Sequence, residues 1–492
     1  MQIASLQHKL PAWFWVISLT FIAINGVLIA FEFFYWPLLS VGLMFFLLAF
    51  VRLDLVLLSV VLFAPVSIQL SELYEGGTAI DMYLPTEPLL ALILLVYILR
   101  YLKGHRTDIR ILRHPVTLSI YFYLAWMVIT IITSSNPVVS LKFFISRLWF
   151  IVGFYMLAVE MFVNRKVMKR YVWLYIVSFS IVIIYTLVRH SAYGFDNQMM
   201  AHSMMQPFFK DHTSYGATLA MLLPVIIGFL AIAKRGDWNS RVLIALLLIF
   251  FITATVFSYT RAAWVSLLGG FMVWLAIRLR IRIEIIGLIA VGLIVAFFMF
   301  KPMIMLQLEK NSQSSSGDLA EHVQSISNIS NDQSNLERIN RWSCAIRMWQ
   351  ERPVFGFGPG TYQFEYARFQ RSYQRTRIST NFGDRGTAHS EYLGPLSESG
   401  LLGMISVILI VIMTIYTGIK VHINARSRYI KIFSLAVLIG IITYYIHGVL
   451  NNFLDTDKAS ALFWGYTAML VAMDLFHVYK KEDVTVIKES ET

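Results

Sequence analysis

The chain has 492 residues, of which 57% are hydrophobic and only 14% charged, with a formal net charge of +12. Soluble domains carry roughly 25% charged residues, so this apolar excess cannot be hidden in one water-soluble core, and the same excess excludes a disordered chain. The one cysteine, Cys344, excludes a disulfide scaffold; what remains is an all-α membrane protein with many spans.

Lys9 precedes an apolar run over 12–31 that is followed at once by another, without a small-residue cleavage site, so it reads as a first helix and not as a removable signal. A crossing needs ~20 mostly apolar residues. Fourteen runs approach that length: 12–31, 33–50, 53–70, 86–102, 116–133, 141–163, 171–189, 212–233, 241–257, 262–278, 283–300, 395–418, 431–450 and 459–479. The first two are separated by Glu32, so the expected count is 12–14. The organisation expected is eleven transmembrane helices over 1–300, a large loop over 301–394, three more transmembrane helices over 395–479 and a tail over 480–492.

Alternate connections are basic, among them the one with Arg100, Lys103, Arg106, Arg110 and Arg113 and the one with Arg165, Lys166, Lys169 and Arg170. The positive-inside rule makes these cytoplasmic, together with both termini and the tail. The net charge is mostly this orientation signal, and no nucleic-acid partner is read from it. By the same alternation, residues 301–388 lie outside, yet this loop holds eleven of the 41 Lys and Arg residues, which orientation does not explain.

Within that loop, Asn311 to Asn335 is rich in Ser, Asn, Gln and Asp and reads as a flexible lead-in. Leu336, Ile339, Trp342, Ile346 and Trp349 then recur at helical spacing, which predicts an amphipathic helix lying on the membrane interface. Pro353 and Gly356, Gly358 and Gly360 predict a turn. A second helix is expected next, with Arg368, Arg371 and Arg375 on one face among Tyr362, Phe364, Tyr366, Phe369 and Tyr373. That face either rests on lipid headgroups or binds phosphates and sugar rings.

Arg261 occupies the short outer connection Phe257-Ser258-Tyr259-Thr260-Arg261, with Ser258 and Thr260 as candidate caps of the following helix. A cation at a helix N-terminus opposes the macrodipole. The free N–H groups and an arginine together make an anion site, so binding of an anion is the functional reading and snorkelling the structural one. Arg147, inside the sixth span, is a weaker case of the same kind. His389 opens a segment that leads through Pro395 into the next span, where Gly400 and Gly403 allow close approach by a neighbouring helix. It is a candidate general base, with Glu391 and Glu398 as alternatives. Asp455 and Asp457 form an Asp-x-Asp pair that suits a solvated turn better than a cation, His202 and His212 lack companions at metal-ligand spacing, and no metal or other cofactor is expected.

Three of these stretches resemble motifs of the O-antigen ligase and polymerase superfamily of bacterial inner-membrane glycosyltransferases. Ser258-Tyr259-Thr260-Arg261-Ala262-Ala263-Trp264-Val265 looks like its Arg-x3-Leu motif, with Val265 for Leu. His389-Ser390, nine residues, then Gly400-Leu401-Leu402-Gly403 is similar to its His, ten residues, Gly-x-x-Gly signature. Arg338-Ile339-Asn340-Arg341-Trp342 followed by Pro353 to Gly358 resembles the part of its periplasmic loop that leads to a Pro-to-Gly turn. The resemblance implies a metal-independent, GT-C-like enzyme that takes a glycan from undecaprenyl diphosphate. The glycan would pass to lipid A-core as a ligase, or to another glycan as a polymerase of O-antigen or exopolysaccharide. Arg261 and Arg338, with Arg341 as the competitor of Arg338, would then hold the diphosphate, and His389 would take the acceptor's proton. A transporter or flippase of lipid-linked glycans is the rival class; it should concentrate broken helices near the bilayer midplane.

Overall fold

The computed structural model describes residues 12–31, 35–73, 82–234, 236–281, 299, 333–375, 379 and 386–478. Nearly all of the expected span 283–300, most of the Ser- and Asn-rich lead-in and the tail lie outside the described residues. Local signals start many of the helices. His114 and Asn136 cap helices that carry proline at their first position, Pro115 and Pro137. Asn164, Asp211 and Asp237 accept from the first free amides of three more.

Residues 1–56 form one unit and 57–492 another, the boundary falling inside a helix. The first unit contains α1 (Ala12–Ala30) and α2 (Tyr35–Val51), both apolar on every side. The boundary helix is α3 (Leu53–Phe63), and α4 (Thr86–Leu102) follows a two-stranded antiparallel hairpin that pairs Ile68 with Leu84. Among the described residues, nine helices are long and apolar enough to cross a membrane. They are α5 (Pro115–Ile132), α6 (Pro137–Met161), α7 (Arg165–Ser191), α8 (His212–Ile232), α9 (Trp238–Phe257), α10 (Arg261–Arg278) and, after the interhelical α11 (Gln333–Glu351), α12 (Leu393–Asn424), α13 (Arg428–His447) and α14 (Asp457–Phe476). The protein is therefore an all-α polytopic membrane protein. In its second unit α14 is almost wholly enclosed, α8 packs along α13, and α9 and α10 present mostly apolar exposed faces.

Two expectations about the loop and its neighbours change, and the inward face of its first helix is an addition to them. The face of α11 that packs inward is Glu337, Asn340, Arg341, Cys344, Ala345 and Met348, while Leu336, Ile339, Trp342, Ile346 and Trp349 are partly exposed. The polar members of the buried face are neutralised among themselves: Arg341 Nε donates to Glu337 Oε1 at 2.9 Å, and Asn340 Nδ2 to Gln370 Oε1 at 3.2 Å. The apolar face at helical spacing is thus the outward one, and the inward face is the one that the sequence pattern did not mark.

The second basic helix does not form. Residues 362–374 make three short turns, Tyr362–Glu365, Tyr366–Phe369 and Ser372–Gln374, so Arg368, Arg371 and Arg375 share no helical face. Tyr362 and Tyr366 leave the surface and stack at 5.3 Å within a small core with Cys344, Met348 and Phe357. Arg368 instead pairs with Glu365 at 3.1 Å and Glu351 at 3.5 Å, beside the rings of Phe357 and Phe369.

Gly400 does not admit a helix. It breaks α12 with φ 70° and ψ −168°, and the backbone of the Pro-to-Gly turn enters the break. Leu401 N donates to Pro353 O at 3.1 Å, Phe357 N to Ser397 O at 3.1 Å and Gly358 N to Glu398 O at 2.7 Å, while Trp126 Nε1 donates to Ser399 O at 2.8 Å. Two motifs far apart in sequence are thus the two sides of one interlock, which satisfies the backbone groups that a broken span exposes.

Candidate functional site

Five segments of the chain converge at one end of the bundle: the start of α8, the start of α10, the first turns of α11, the strap 386–392 and the end of α13. Asp211 caps α8 by accepting from Thr213 N at 2.9 Å and Ser214 N at 2.8 Å. Thr260 was a candidate cap of α10, but its hydroxyl instead donates to His212 O at 2.7 Å and makes no cap hydrogen bond. The α10 N-terminus, which begins at Arg261, is thereby tied to α8. Ser258 is the residue that accepts from an amide here, from Thr260 N at 3.3 Å.

Two non-glycine residues of this end adopt left-handed backbone, Tyr259 at φ 49° and His389 at φ 48°. Such conformations are costly and collect at functional sites. Tyr259 is held there by its hydroxyl, which donates to Phe195 O at 2.7 Å. His389 is held by α11, whose Trp342 Nε1 donates to His389 O at 3.3 Å.

His389 has Arg341, Arg338, Asp211 and Lys210 as its charged neighbours. Burial, then Arg341 and Arg338, push its imidazole down to about 3, so the ring is neutral at any physiological pH and a weak base until an anion offsets the two arginines. Asp211 itself is held below the usual carboxylate range: burial opposes ionisation, and the bonds from Thr213 and Ser214 with the nearby His212 prevail. Arg338 and Asp211 also face His447, whose ring lies against the backbone of Ala262 and meets Asn451 Nδ2 at 3.1 Å. Arg338 thus stands between two histidines, while Arg341 is committed to Glu337, to Thr387 O at 3.3 Å and to the face of Tyr366.

The structure brings Arg338 and His389 together with the α10 terminus that carries Arg261. Arg147 is elsewhere: it pairs with Asp455 at 2.5 Å and donates to Leu454 O at 2.7 Å, so its charge is already met within the chain. Asp455 and Asp457 turn apart. Asp457 is fully buried and accepts from Ser67 Oγ at 2.7 Å and Thr86 Oγ1 at 2.5 Å, which makes it a packing group and not half of a cation site. Glu391 Oε1 accepts from Tyr444 Oη at 2.6 Å, Phe453 N at 2.8 Å and Leu454 N at 3.0 Å. That pins the strap to the α13–α14 turn and uses the oxygen a base would need. Its carboxyl sits above the usual range, through burial and then Asp455.

Sequence reading missed Asp211 and His447. Asp211 carried the signal of an N-cap before Thr213 and Ser214, but a cap looks the same whether or not it also faces a histidine. On the other side of the strap lies a cavity of about 300 Å³ whose polar lining includes Tyr123, Arg147, Glu391, Glu398, Tyr444 and Asp455.

A polytopic helical membrane protein with a cationic, histidine-bearing cluster at one end of its bundle is the class defined so far. Residues 244–408, a stretch that holds Arg261, Arg338 and His389, match the family model described as O-Antigen ligase. A protein of Haemophilus influenzae described as uncharacterized is 24% identical over 229 residues, 45% of this chain and 54% of that protein. The chain spans about half the length of this curated relative.

Proposed function

We propose that the protein transfers a glycan from undecaprenyl diphosphate to an acceptor hydroxyl at the outer face of the bacterial inner membrane. The observation that carries this reading is the meeting of Arg338 and a neutral His389 beside a helix N-terminus that begins with Arg261 and has no side-chain cap from Thr260. The acceptor oxygen attacks the anomeric carbon, its proton passes to His389, and the bond from that carbon to the diphosphate breaks. The leaving diphosphate gains charge as it departs. Arg261, Arg338 and the α10 amides stabilise that charge where it develops, without a metal.

The acceptor is lipid A-core for a ligase and another glycan for a polymerase; the ligase is the leading form. Two features favour chemistry over transport: the polar cluster gathers at one end of the bundle, and the break in α12 is filled by the chain's own turn. A gel of surface glycans from a strain lacking the protein tests the reading. Unattached lipid-linked polymer supports the ligase, acceptor carrying a single repeat unit supports the polymerase, and an unchanged pattern overturns both.

A further inference from the structure

The strap 386–392 separates two environments of opposite character. Gly386, Thr387, Ala388, Ser390, Glu391 and Tyr392 line the cavity, while His389, turned by its left-handed backbone, faces Arg338, Arg341 and Asp211. The cavity side holds three carboxylates, Glu391, Glu398 and Asp455, against one guanidinium, Arg147, which Asp455 already neutralises. A diphosphate is repelled there. Aromatic walls complete the lining, among them Tyr123, Trp126, Phe143 and Trp464.

Carboxyl groups that accept from hydroxyls and rings that cover apolar C–H faces are together the chemistry of an uncharged sugar. About 300 Å³ is at the small end of ligand pockets, room for one or two rings and not for a polymer. We propose that this cavity is the subsite for a sugar of the acceptor adjoining the one that carries the attacking hydroxyl, across the strap from the diphosphate and His389, and that Glu398 is its specificity-determining carboxylate. Glu398 lies at the break in α12, where its Oε1 accepts from Tyr362 N at 3.0 Å, so the interlocked turn holds it in place. The inference rests on the transferase reading for the word acceptor, and on the cavity alone for the word sugar.

Saturation-transfer NMR with the full chain in lipid nanodiscs tests it, the probes being neutral methyl glycosides of hexoses and N-acetylhexosamines, with inorganic pyrophosphate as competitor. At least one glycoside should bind, and saturating pyrophosphate should leave it bound. Glu398→Gln should weaken that binding about tenfold or more, the loss of one charged hydrogen bond, and Val407→Trp, which fills the cavity, should abolish it. Binding of no glycoside, displacement by pyrophosphate, or unchanged affinity in both variants would overturn the proposal; if neither variant folds, the competition on the wild-type chain decides. In transfer assays Glu398→Gln should raise KM for the acceptor and leave KM for the donor unchanged. Loss of the transferase reading alone would look different: glycosides would still bind the wild-type chain, while that chain transferred no glycan.

Discussion

A β-carbon on Gly400 would stand 2.1 Å from the carbonyl oxygen of Val354, so these two residues can be neighbours only while residue 400 is glycine. Gly400→Ala should fail through folding and not through chemistry. This backbone, at positive φ with ψ near 180°, is essentially open to glycine alone and costs an alanine about 1–3 kcal/mol, and the clash with backbone adds to it. The expected result is a lower melting temperature and poor accumulation in the membrane, measured by fluorescence-detected gel filtration; wild-type stability would mean that the turn does not dock in the break.

Arg261 and His389 should separate in kinetics. A planar bidentate donor on a diphosphate is not replaced by an ammonium group, so Arg261→Lys should fail nearly as badly as Arg261→Ala. His389→Ala should still bind lipid-linked donor while transferring it roughly 10²–10⁴-fold more slowly, the usual loss for a general base. Donor binding and single-turnover transfer, each at matched protein levels, check both. Wild-type transfer by His389→Ala would make His389 structural.

The pH profile carries a signature. His389 is pushed down to about 3 in the free protein, below its ordinary value, so kcat/KM should show no acid limb from this residue near pH 6.5. A bound diphosphate offsets Arg341 and Arg338 and so raises the imidazole, and the acid limb of kcat should lie at higher pH than that of kcat/KM. Stability follows the same sign. The unfolded chain takes up this proton below about pH 6.5 and the folded chain does not until about 3, so the contribution is present above that window and is lost as pH falls through it.

Activity should survive EDTA, since arginines can neutralise a diphosphate; loss restored by magnesium or manganese would refute this. Asp457→Asn is not an innocent control, because it disturbs a buried network with Ser67, Thr86 and Lys458. Asp455→Asn leaves Arg147 buried without its carboxylate. Asp455 is partly exposed, so the cost should fall between the ~3–5 kcal/mol of a broken buried pair and the ~0–1 kcal/mol of a surface one. Thermal unfolding in detergent measures it, and replacing both partners by apolar residues should recover much of the loss.

Orientation can be read directly. A single cysteine at exposed Ser372 in a Cys344→Ser background should react with an impermeant reagent in intact cells whose outer membrane has been permeabilised. Labelling only after the inner membrane is opened would reverse the topology.

The membrane-spanning character was legible in the sequence because lipid simplifies the code: spans are apolar on every side. Arg261 and His389 stood out because basic groups are sparse at the span ends opposite the basic connections. What escaped depends on pairing. Glu337 and Arg341 hid the buried face of α11 by cancelling each other, Gly400 called for a close approach without revealing that a loop would make it, and Asp211 and His447 gain meaning only from segments far away in the chain. The arginines at 368, 371 and 375 show the reverse error, a period without a helix.

The two residues that Arg338 faces together with His389, Asp211 and His447, lie on either side of the stretch 244–408. That stretch is therefore not a portable module. A chimera that moved it into another membrane scaffold would carry three of the site's side chains and leave behind the carboxylate and the second imidazole around them. Exchange between relatives should succeed only when the crossover points fall before Asp211 and after His447, so that evolution, like an engineer, has to inherit this site in one piece.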